Sequence, residues 1–236
     1  MPSVPDIGLH VAWCDVAAAR HACTTWHYSR CMPSGKLLHL GVWEDGRFIG
    51  AVIFGRGANN RLAGRFGLQQ TECCELVRIA LRAHKAPVSR IATVALRLAR
   101  RQSPGLRCVV SYADPEQDHH GGVYQAMGWA YLGSSRPQAE MLIAGKPMHK
   151  RSCVARYGTA SLAKLEAMGV KDARRDEVRW KHTYALGLDA EMRASLDRQR
   201  KPYPKRVKQA TAGHPPDGGG AAPTHALHDE RPCPAA

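Results

Sequence analysis

Aromatic residues are scarce in this 236-residue chain, 6% of the total with only three phenylalanines. With 44% hydrophobic residues overall, alanine, valine and leucine have to supply most of the packing. No apolar run approaches the roughly 20 residues that span a bilayer. The opening MPSVPDIGLH has no basic flank followed by an apolar core, so no secretory signal is expected. None of the eight cysteines forms a C-x-x-C pair, which argues against a zinc ribbon or a thioredoxin-type centre. Reduced thiols in a cytoplasm are the expectation, with Cys108 read as core. Acids are also short: 20 Asp and Glu stand against 34 Lys and Arg, a net +14. That excess points to a polyanionic partner, nucleic acid first and a membrane surface second.

The charge is unevenly spread. Residues 146–208 hold 17 basic and 7 acidic side chains, net +10, while residues 209–236 are net −2. The closing segment carries Pro215-Pro216-Asp217-Gly218-Gly219-Gly220, which cannot build a core. The expected organisation is one domain over residues 1–200, basic from 146 to 200, and a disordered Pro/Gly-rich tail over 201–236.

Asp15 is a helix cap for the alanine-rich run to Thr25. The dense patch Trp26-His27-Tyr28 follows. Leu37 to Trp43 and Arg47 to Phe54, joined through Asp45-Gly46, predict a hairpin. Residues 55–67 read as a loop bearing Arg56, Arg61 and Arg65. Glu75 to Leu81 reads as a strand. Pro87 opens a helix whose apolar stripe is Ile91, Val94, Ala95 and Leu98, with Arg90, Arg97 and Arg101 on a basic face. Further on, Trp129 to Leu132 reads as a short strand, Met141 to Ile143 with Lys146 to His149 as a hairpin, and Ser161 to Met168 as a helix in a basic, partly helical segment.

The stretch around which the chain is organised is Arg107 to Trp129. Cys108-Val109-Val110 is a buried strand, Pro115 stops it, a polar loop follows, and Gly121-Gly122 open a helix. Asp114, Ser111, Tyr112, His119 and His120 thus collect near the carboxyl end of a strand, the edge at which open α/β sheets bind ligands.

This order predicts an α/β (α+β) fold, a mixed central sheet with helices on both faces. It is also the order of the GNAT acyltransferases, whose acyl-CoA lies where two parallel strands splay. The equivalent strands here would be Glu75–Leu81 and Arg107–Tyr112.

Trp26-His27-Tyr28, Gly35-Lys36-Leu37-Leu38, Gly50 to Gly55, Gly67 to Glu75 and Val110 to Tyr124 together resemble the Mom proteins of Mu-like bacteriophages. The resemblance covers roughly residues 20–160. It implies a GNAT-like enzyme that adds a methylcarbamoyl group to adenine N6 in double-stranded phage DNA. The modification shields the genome from host restriction, in the cytoplasm of the bacterial host. Acetyl-CoA is the implied cofactor, with iron as a further candidate held by His27, His119 and His120.

Under that resemblance Asp114, His27, Tyr28, Tyr112, Tyr124 and Ser111 are catalytic candidates. Asp114 would orient or deprotonate an amine. Either Tyr112 or Tyr124 would protonate a thiolate or stack on a base. Arg78 and the helix start Val88, Ser89 and Arg90 are candidates for the cofactor. Arg82 to Arg90 contains no glycine, unlike the usual pyrophosphate loop. Arg56, Arg61, Arg65, Lys150, Arg151 and Arg156 are candidates for DNA phosphates. Trp26, Tyr28 and Trp129 are candidates to stack on an extruded base. Two other readings compete: an ordinary GNAT N-acetyltransferase for a small amine or protein, and a basic DNA-binding protein without catalysis.

Overall fold

Successive residues of one strand, Arg47–Gly55, enter two different cores. Val52 and Phe54 join one cluster, and Ala51 and Ile53 another. A strand covered by helices on both sides has this pattern. The computed structural model describes residues 8–57, 61–148 and 150–205; within these, the side chains at 138–140, 147, 150–152, 155 and 176–179 are left undescribed. The tail from residue 206 onward lies outside the described residues.

The elements run β1 (Leu9–Trp13), α1 (Val16–Trp26), β2 (Leu37–Glu44), β3 (Arg47–Gly55), β4 (Cys73–Leu81), α2 (Val88–Gln102), β5 (Cys108–Ala113), α3 (Gly122–Ala126) and β6 (Ala130–Ser134). They continue as β7 (Gln138–Ile143), β8 (Lys146–Met148), α4 (Lys150–Tyr157), α5 (Leu162–Ala167), β9 (Arg174–Arg179), β10 (His182–Gly187) and α6 (Ala190–Gln199). A seven-stranded mixed sheet has the order β1-β2-β3-β4-β5-β10-β6. Among the described residues its one parallel pair is β4 with β5. The expected mixed sheet is therefore present.

Local chemistry explains most of the expected elements. Asp15 accepts the Ala18 N–H at 2.7 Å and starts α1. Asp45 and Gly46 both take positive φ, 52° and 77°, the two left-handed steps of a tight hairpin turn. Ile91, Ala95 and Ala99 seat α2 on the face formed by Leu40, Val42, Val52 and Phe54. Ala19, Ala22 and Cys23 seat α1 on the opposite face. That opposite face is completed by α6, whose Met192 and Leu196 pack on Cys108, Val110, Ala130 and Ala185.

Three strands and two helices go beyond the sequence expectation. Leu9 and Val11 of β1 extend the sheet edge. The strand β10 comes from the segment read only as basic and partly helical, and it lies between β5 and β6. Residues 135–181 are thus an insertion between two neighbouring strands. They form a separate sheet, β8-β7-β9, with α4 and α5 and a small core of Met141, Ile143, Cys153 and Leu165.

The turn between β4 and α2 is held by a buried carboxylate. Glu44, 7% exposed, accepts the Lys85 N–H at 3.0 and 2.9 Å and the Ala86 N–H at 2.8 Å. Glu44→Ala leaves these donors without a partner, and a destabilisation of about 2–3 kcal/mol is expected. Glu44→Gln keeps an acceptor and should lose less. Denaturant midpoints of the two variants check both, and equal losses would contradict the hydrogen-bond account.

Candidate active site

The pairing of β4 with β5 stops early. Cys73, Cys74 and Glu75 pair with Cys108, Val109 and Val110, although β4 continues to Leu81 and β5 to Ala113. Beyond Glu75 and Val110 a gap opens between them. The next carbonyl, that of Leu76, accepts the Ser111 hydroxyl at 2.8 Å. A carbonyl can only accept, so the Ser111 hydrogen is committed there. The Tyr124 hydroxyl lies 2.7 Å from the same Oγ. Tyr124 packs on Trp129 and Tyr184 on the α2 side of the sheet. Burial pushes its phenol up to about 12, only partly offset by Ser111. It is therefore a protonated donor at neutral pH.

Gly121 lets α3 sit this close. It has φ +85°, and a Cβ there would lie 2.2 Å from the Tyr184 ring. The Tyr184 hydroxyl donates to the His120 carbonyl at 2.5 Å and receives Gln125 Nε2 at 3.0 Å.

On the other face α1 delivers His27 and Tyr28, whose rings lie 4.2 Å apart. His27 Nδ1 accepts the Ser29 N–H at 3.1 Å and lies 2.8 Å from Ser29 Oγ. A backbone N–H only donates, so the imidazole proton is assigned to Nε2. Burial, then the nearby Arg78, His119 and Lys181, lower the His27 pKa to about 3. His27 is thus a neutral ring with its basic nitrogen already occupied. It can offer an N–H but is a poor base.

Tyr28 is 44% exposed, yet desolvation of its hydroxyl pushes the phenol pKa up, against Lys181 and Arg78. His119 packs edge-on to it at 5.7 Å. Asp114 closes the group from the end of β5. Its Oδ1 accepts the Glu116 N–H at 3.1 Å and its Oδ2 lies 3.3 Å from Lys181 Nζ. Asp114 is therefore both a turn cap and an ion-paired carboxylate.

The structure brings together His27, Tyr28, Arg78, Asp114, Ser111 and Tyr124, from four elements. It separates others. Tyr112 packs toward the Leu62, Leu68 and Cys73 cluster beneath the Arg65 loop, its phenol pushed to about 12 by burial. Arg78 keeps company with Cys23, His27 and Tyr28 on the α1 face. Its Nε is buried without a hydrogen-bond partner. The helix start Val88 and Ser89 belongs instead to the α2 face, and no side chain caps it. The Arg90 N–H is already taken by the Pro87 carbonyl at 2.9 Å. Of the cradle expected there, Val88, Ser89 and the exposed Arg90 side chain remain for a phosphate.

The iron expectation does not survive. Among the described residues no group of three or more His, Cys, Asp or Glu could hold a metal ion. His27 has spent Nδ1 on Ser29, and His120 packs against Gly122. These donors do not fit an iron centre. Trp129 is fully buried and Trp26 packs on His21 and Phe48, which leaves the exposed Tyr28 of the three stacking candidates. Arg56, Arg61 and Arg65 are exposed. Arg156 is exposed, its guanidinium 5.4 Å from the Tyr157 ring. The side chains of Lys150 and Arg151 lie outside the described residues. Sequence reasoning missed Lys181, Ser29 and Glu44. The uncharged run Thr183-Tyr184-Ala185-Leu186, β-branched and aromatic at its start, was the available signal for the strand that Lys181 precedes.

The model of the Mom protein family matches residues 8–205. The chain belongs to this family. Mom relatives include the methylcarbamoylase Mom of Escherichia phage Mu, 32% identical over 120 residues. That match covers 49% of this chain and 50% of the relative, so the chain spans half the length of the protein it matches. Two solved structures are also similar. One is a protein of Acinetobacter baylyi ADP1 assigned provisionally to the acetyltransferases, at 12% identity and TM-score 0.43, covering 79% of this chain and 95% of the other. The other is a variant agmatine N-acetyltransferase in its apo form, at 11% identity and TM-score 0.39, covering 76% and 100%. No helix among the described residues is long and apolar enough to cross a membrane.

The His27 arrangement carries a pH signature. Above the unfolded value of 6.5 the ring is neutral in both states and contributes nothing. As pH falls from 6.5 toward 3, the unfolded chain takes up a proton that the folded chain refuses, so stability falls. His39, His119 and His182 are lowered too and act in the same direction. His27→Asn places an oxygen acceptor near the Nδ1 position and cannot titrate. It should lose less stability than wild type between pH 7 and pH 5, by up to about 2 kcal/mol. Denaturant titrations at both pH values test this, and parallel losses would return His27 to an ordinary solvated ring.

Proposed function

We propose that this chain transfers a methylcarbamoyl group to the exocyclic N6 of adenine in DNA. The observation that carries the reading is the meeting of two half-sites at the β4/β5 gap. Ser111 and Tyr124 approach it from the α2 face, and His27, Tyr28, Arg78 and Asp114 approach it from the α1 face. Family membership, and a phage relative named for this transfer, support the same reading.

The two faces divide the work. On the α2 face the gap and the open N–H groups of Val88 and Ser89, with the Arg90 side chain, fit acetyl-CoA. The chemistry acetyl-CoA would supply there is an activated two-carbon acyl unit on a thiolate leaving group. Tyr124, kept protonated by burial, would be the donor for that thiolate. With the Ser111 hydrogen on Leu76, the phenolic hydrogen lies toward Ser111 Oγ and would turn from there to the thiolate.

On the α1 face adenine presents N6. Attaching the group breaks one N6–H bond, whose proton leaves to water, and forms one N–C bond. Acetyl-CoA would account for the two carbons and the departing thiolate, whereas the amide nitrogen, and the two-electron oxidation that joining N6 to the acyl methyl carbon requires, have to come from an amine donor and an oxidant. The Asp114 carboxylate accepts the hydrogen bond of the amine and aims its lone pair. His27 Nε2–H offers a donor to oxygen on the transferred group, in a site dry enough to strengthen it. N6 lies in the major groove of a duplex, but a half-site recessed at a sheet edge favours an extruded base, with Tyr28 as its stacking surface. Arg56, Arg61, Arg65 and the basic insertion take the phosphates, and the host cytoplasm is the compartment where phage DNA is met. Modified adenine then hides restriction sites.

Mass spectrometry of nucleosides from cells expressing the chain tests the function directly, since it reads acceptor and added mass together. Asp114→Asn should remove the modified adenine, and Tyr124→Phe should lower it by about 10²-fold or more. Normal modification in both variants would move the chemistry elsewhere. A second experiment addresses the phosphates. Neutralising Lys150, Arg151 and Arg156 together should weaken DNA binding for all sequences alike. It should also make its salt dependence shallower by about 0.9 log unit for each phosphate that is no longer neutralised. An unchanged slope would pass the role to the Arg56, Arg61 and Arg65 loop.

A further inference from the structure

The ion pair between Asp114 and Lys181 has features that surface pairs lack. An exposed pair contributes little, because two mobile side chains have to be held together in water. Here the Lys181 side chain is 46% exposed, but the Asp114 side chain is only 17% exposed, and its other oxygen is already held by the Glu116 N–H. The lysine is anchored as well. Its N–H donates to Ser135 Oγ at 2.9 Å and its carbonyl accepts the Ser135 N–H at 2.7 Å. Ser135 and Lys181 are the first and last residues of the insertion, and the next residue, His182, pairs with Ala113. Continuing this antiparallel register places the lysine beside the end of β5, directly across from Asp114.

The surrounding charges fit a role beyond pairing. The Lys181 charge acts on both His27 and Tyr28. Asp114 is the acid that Tyr28 feels there. Without the ammonium, a half-buried carboxylate would face a neutral imidazole and a phenol, with Arg78 as the other cation in the group. Removing one member of such a pair leaves its partner uncompensated, and the side chain turns toward water.

We infer that Lys181 is a positioning residue of the acceptor half-site, one that holds Asp114 Oδ2 in the cleft beside His27 and Tyr28. The inference rests on the reading that Asp114 handles the adenine amine. Lys181 touches neither adenine nor donor, and it acts by fixing the carboxylate and offsetting its charge. A displacement of about 1 Å at such a group is enough to lose about 10²-fold in rate.

The test uses the full chain with Lys181→Gln, Lys181→Met and Lys181→Arg, each followed by nucleoside mass spectrometry, DNA affinity and thermal midpoint. Gln and Met should lower modified adenine by at least about tenfold while DNA affinity stays at the wild-type value. Arg keeps the cation and should recover most of the modification. Wild-type modification in Lys181→Gln would overturn the inference, because the charge would then be dispensable. Loss of DNA affinity in step with modification would also overturn it, since Lys181 would then be a phosphate contact. Loss in Lys181→Arg at an unchanged midpoint would do the same.

A readout free of activity accompanies these. In a double-mutant cycle with Asp114→Asn, the denaturant-midpoint shift from Lys181→Met should be smaller when Asp114 is already neutral. Strictly additive shifts would mean that the pair does not form. If the wild type leaves adenine unmodified, the proposed function fails, while the cycle still reports whether Lys181 holds Asp114.

Discussion

The site depends on one interrupted ladder. Two parallel strands, the shorter of six residues, pair along only three, and then the Leu76 carbonyl takes a serine hydroxyl in place of a backbone amide. Backbone polar groups inside a protein have to be paired somewhere, so a gap in the middle of a sheet persists only where side chains satisfy its edges. Ser111 does this for β4. The same hydroxyl lies against Tyr124 and thereby fixes which way the phenolic hydrogen can point. Satisfying the open strand edge and orienting the Tyr124 hydroxyl both fall to a single side chain. Across the gap α1 ends where its last side chains fall beside the opening, so reactive groups from both faces converge without any long loop.

The glycine-free turn before α2 has its explanation in Glu44. A glycine-rich loop is useful where backbone N–H groups have to approach an external anion closely. In this chain an anion is already built in: the Glu44 carboxylate occupies the N–H groups of Lys85 and Ala86 from the buried side. The turn is consequently rigid and internally satisfied, and no glycine is needed for close approach. Donors left over for a ligand begin only at the first turn of α2. A phosphate held there depends on Val88, Ser89 and the Arg90 side chain, with greater reliance on side-chain charge than a glycine loop would require.

Much of the framework was legible in the sequence because it is written in local signals. Asp15, Asp45-Gly46, Pro87 and Pro115 each set a boundary through their own backbone chemistry, and the structure puts boundaries at all four. The stripe of α2 and the apolar core of β5 follow from periodicity alone. What was not legible is long-range. Nothing near residue 182 says that a strand there will enter the sheet between two earlier ones, because that choice is made by packing against Val110, Ala130 and Tyr131. Charge dominates the composition of 146–200 and masks the short uncharged run of β10. Arg78 was grouped with the helix start through the resemblance, yet a bulge in the β3/β4 pairing beside it and the alternation of β4 bring it to the α1 face. The iron expectation failed for a similar reason. Sequence proximity of His119 and His120 says nothing of where their nitrogens point, and one ring packs on Tyr28 while the other packs on a glycine.

The location of the insertion gives the charge distribution a structural meaning. Its two ends, Ser135 and Lys181, are hydrogen-bonded to each other at the carboxyl end of β5. The unit therefore rises from the same sheet edge that carries Asp114. Residues 135–181 hold 11 basic and 5 acidic side chains, and Arg136, Lys146, Lys164, Lys171, Arg174 and Arg175 are exposed. A basic surface placed at random would raise the affinity for DNA without aligning it. One rooted beside the carboxylate would, under the proposed function, place bound phosphates near the reacting nucleotide, and the insertion has its own small core of Met141, Ile143, Cys153 and Leu165. Because the last residue of the unit is Lys181, the polypeptide that would carry the DNA also carries the cation that holds Asp114. Under the proposed function, binding surface and catalytic geometry would thus be joined by one covalent step, the peptide bond between Lys181 and the strand that fills the sheet.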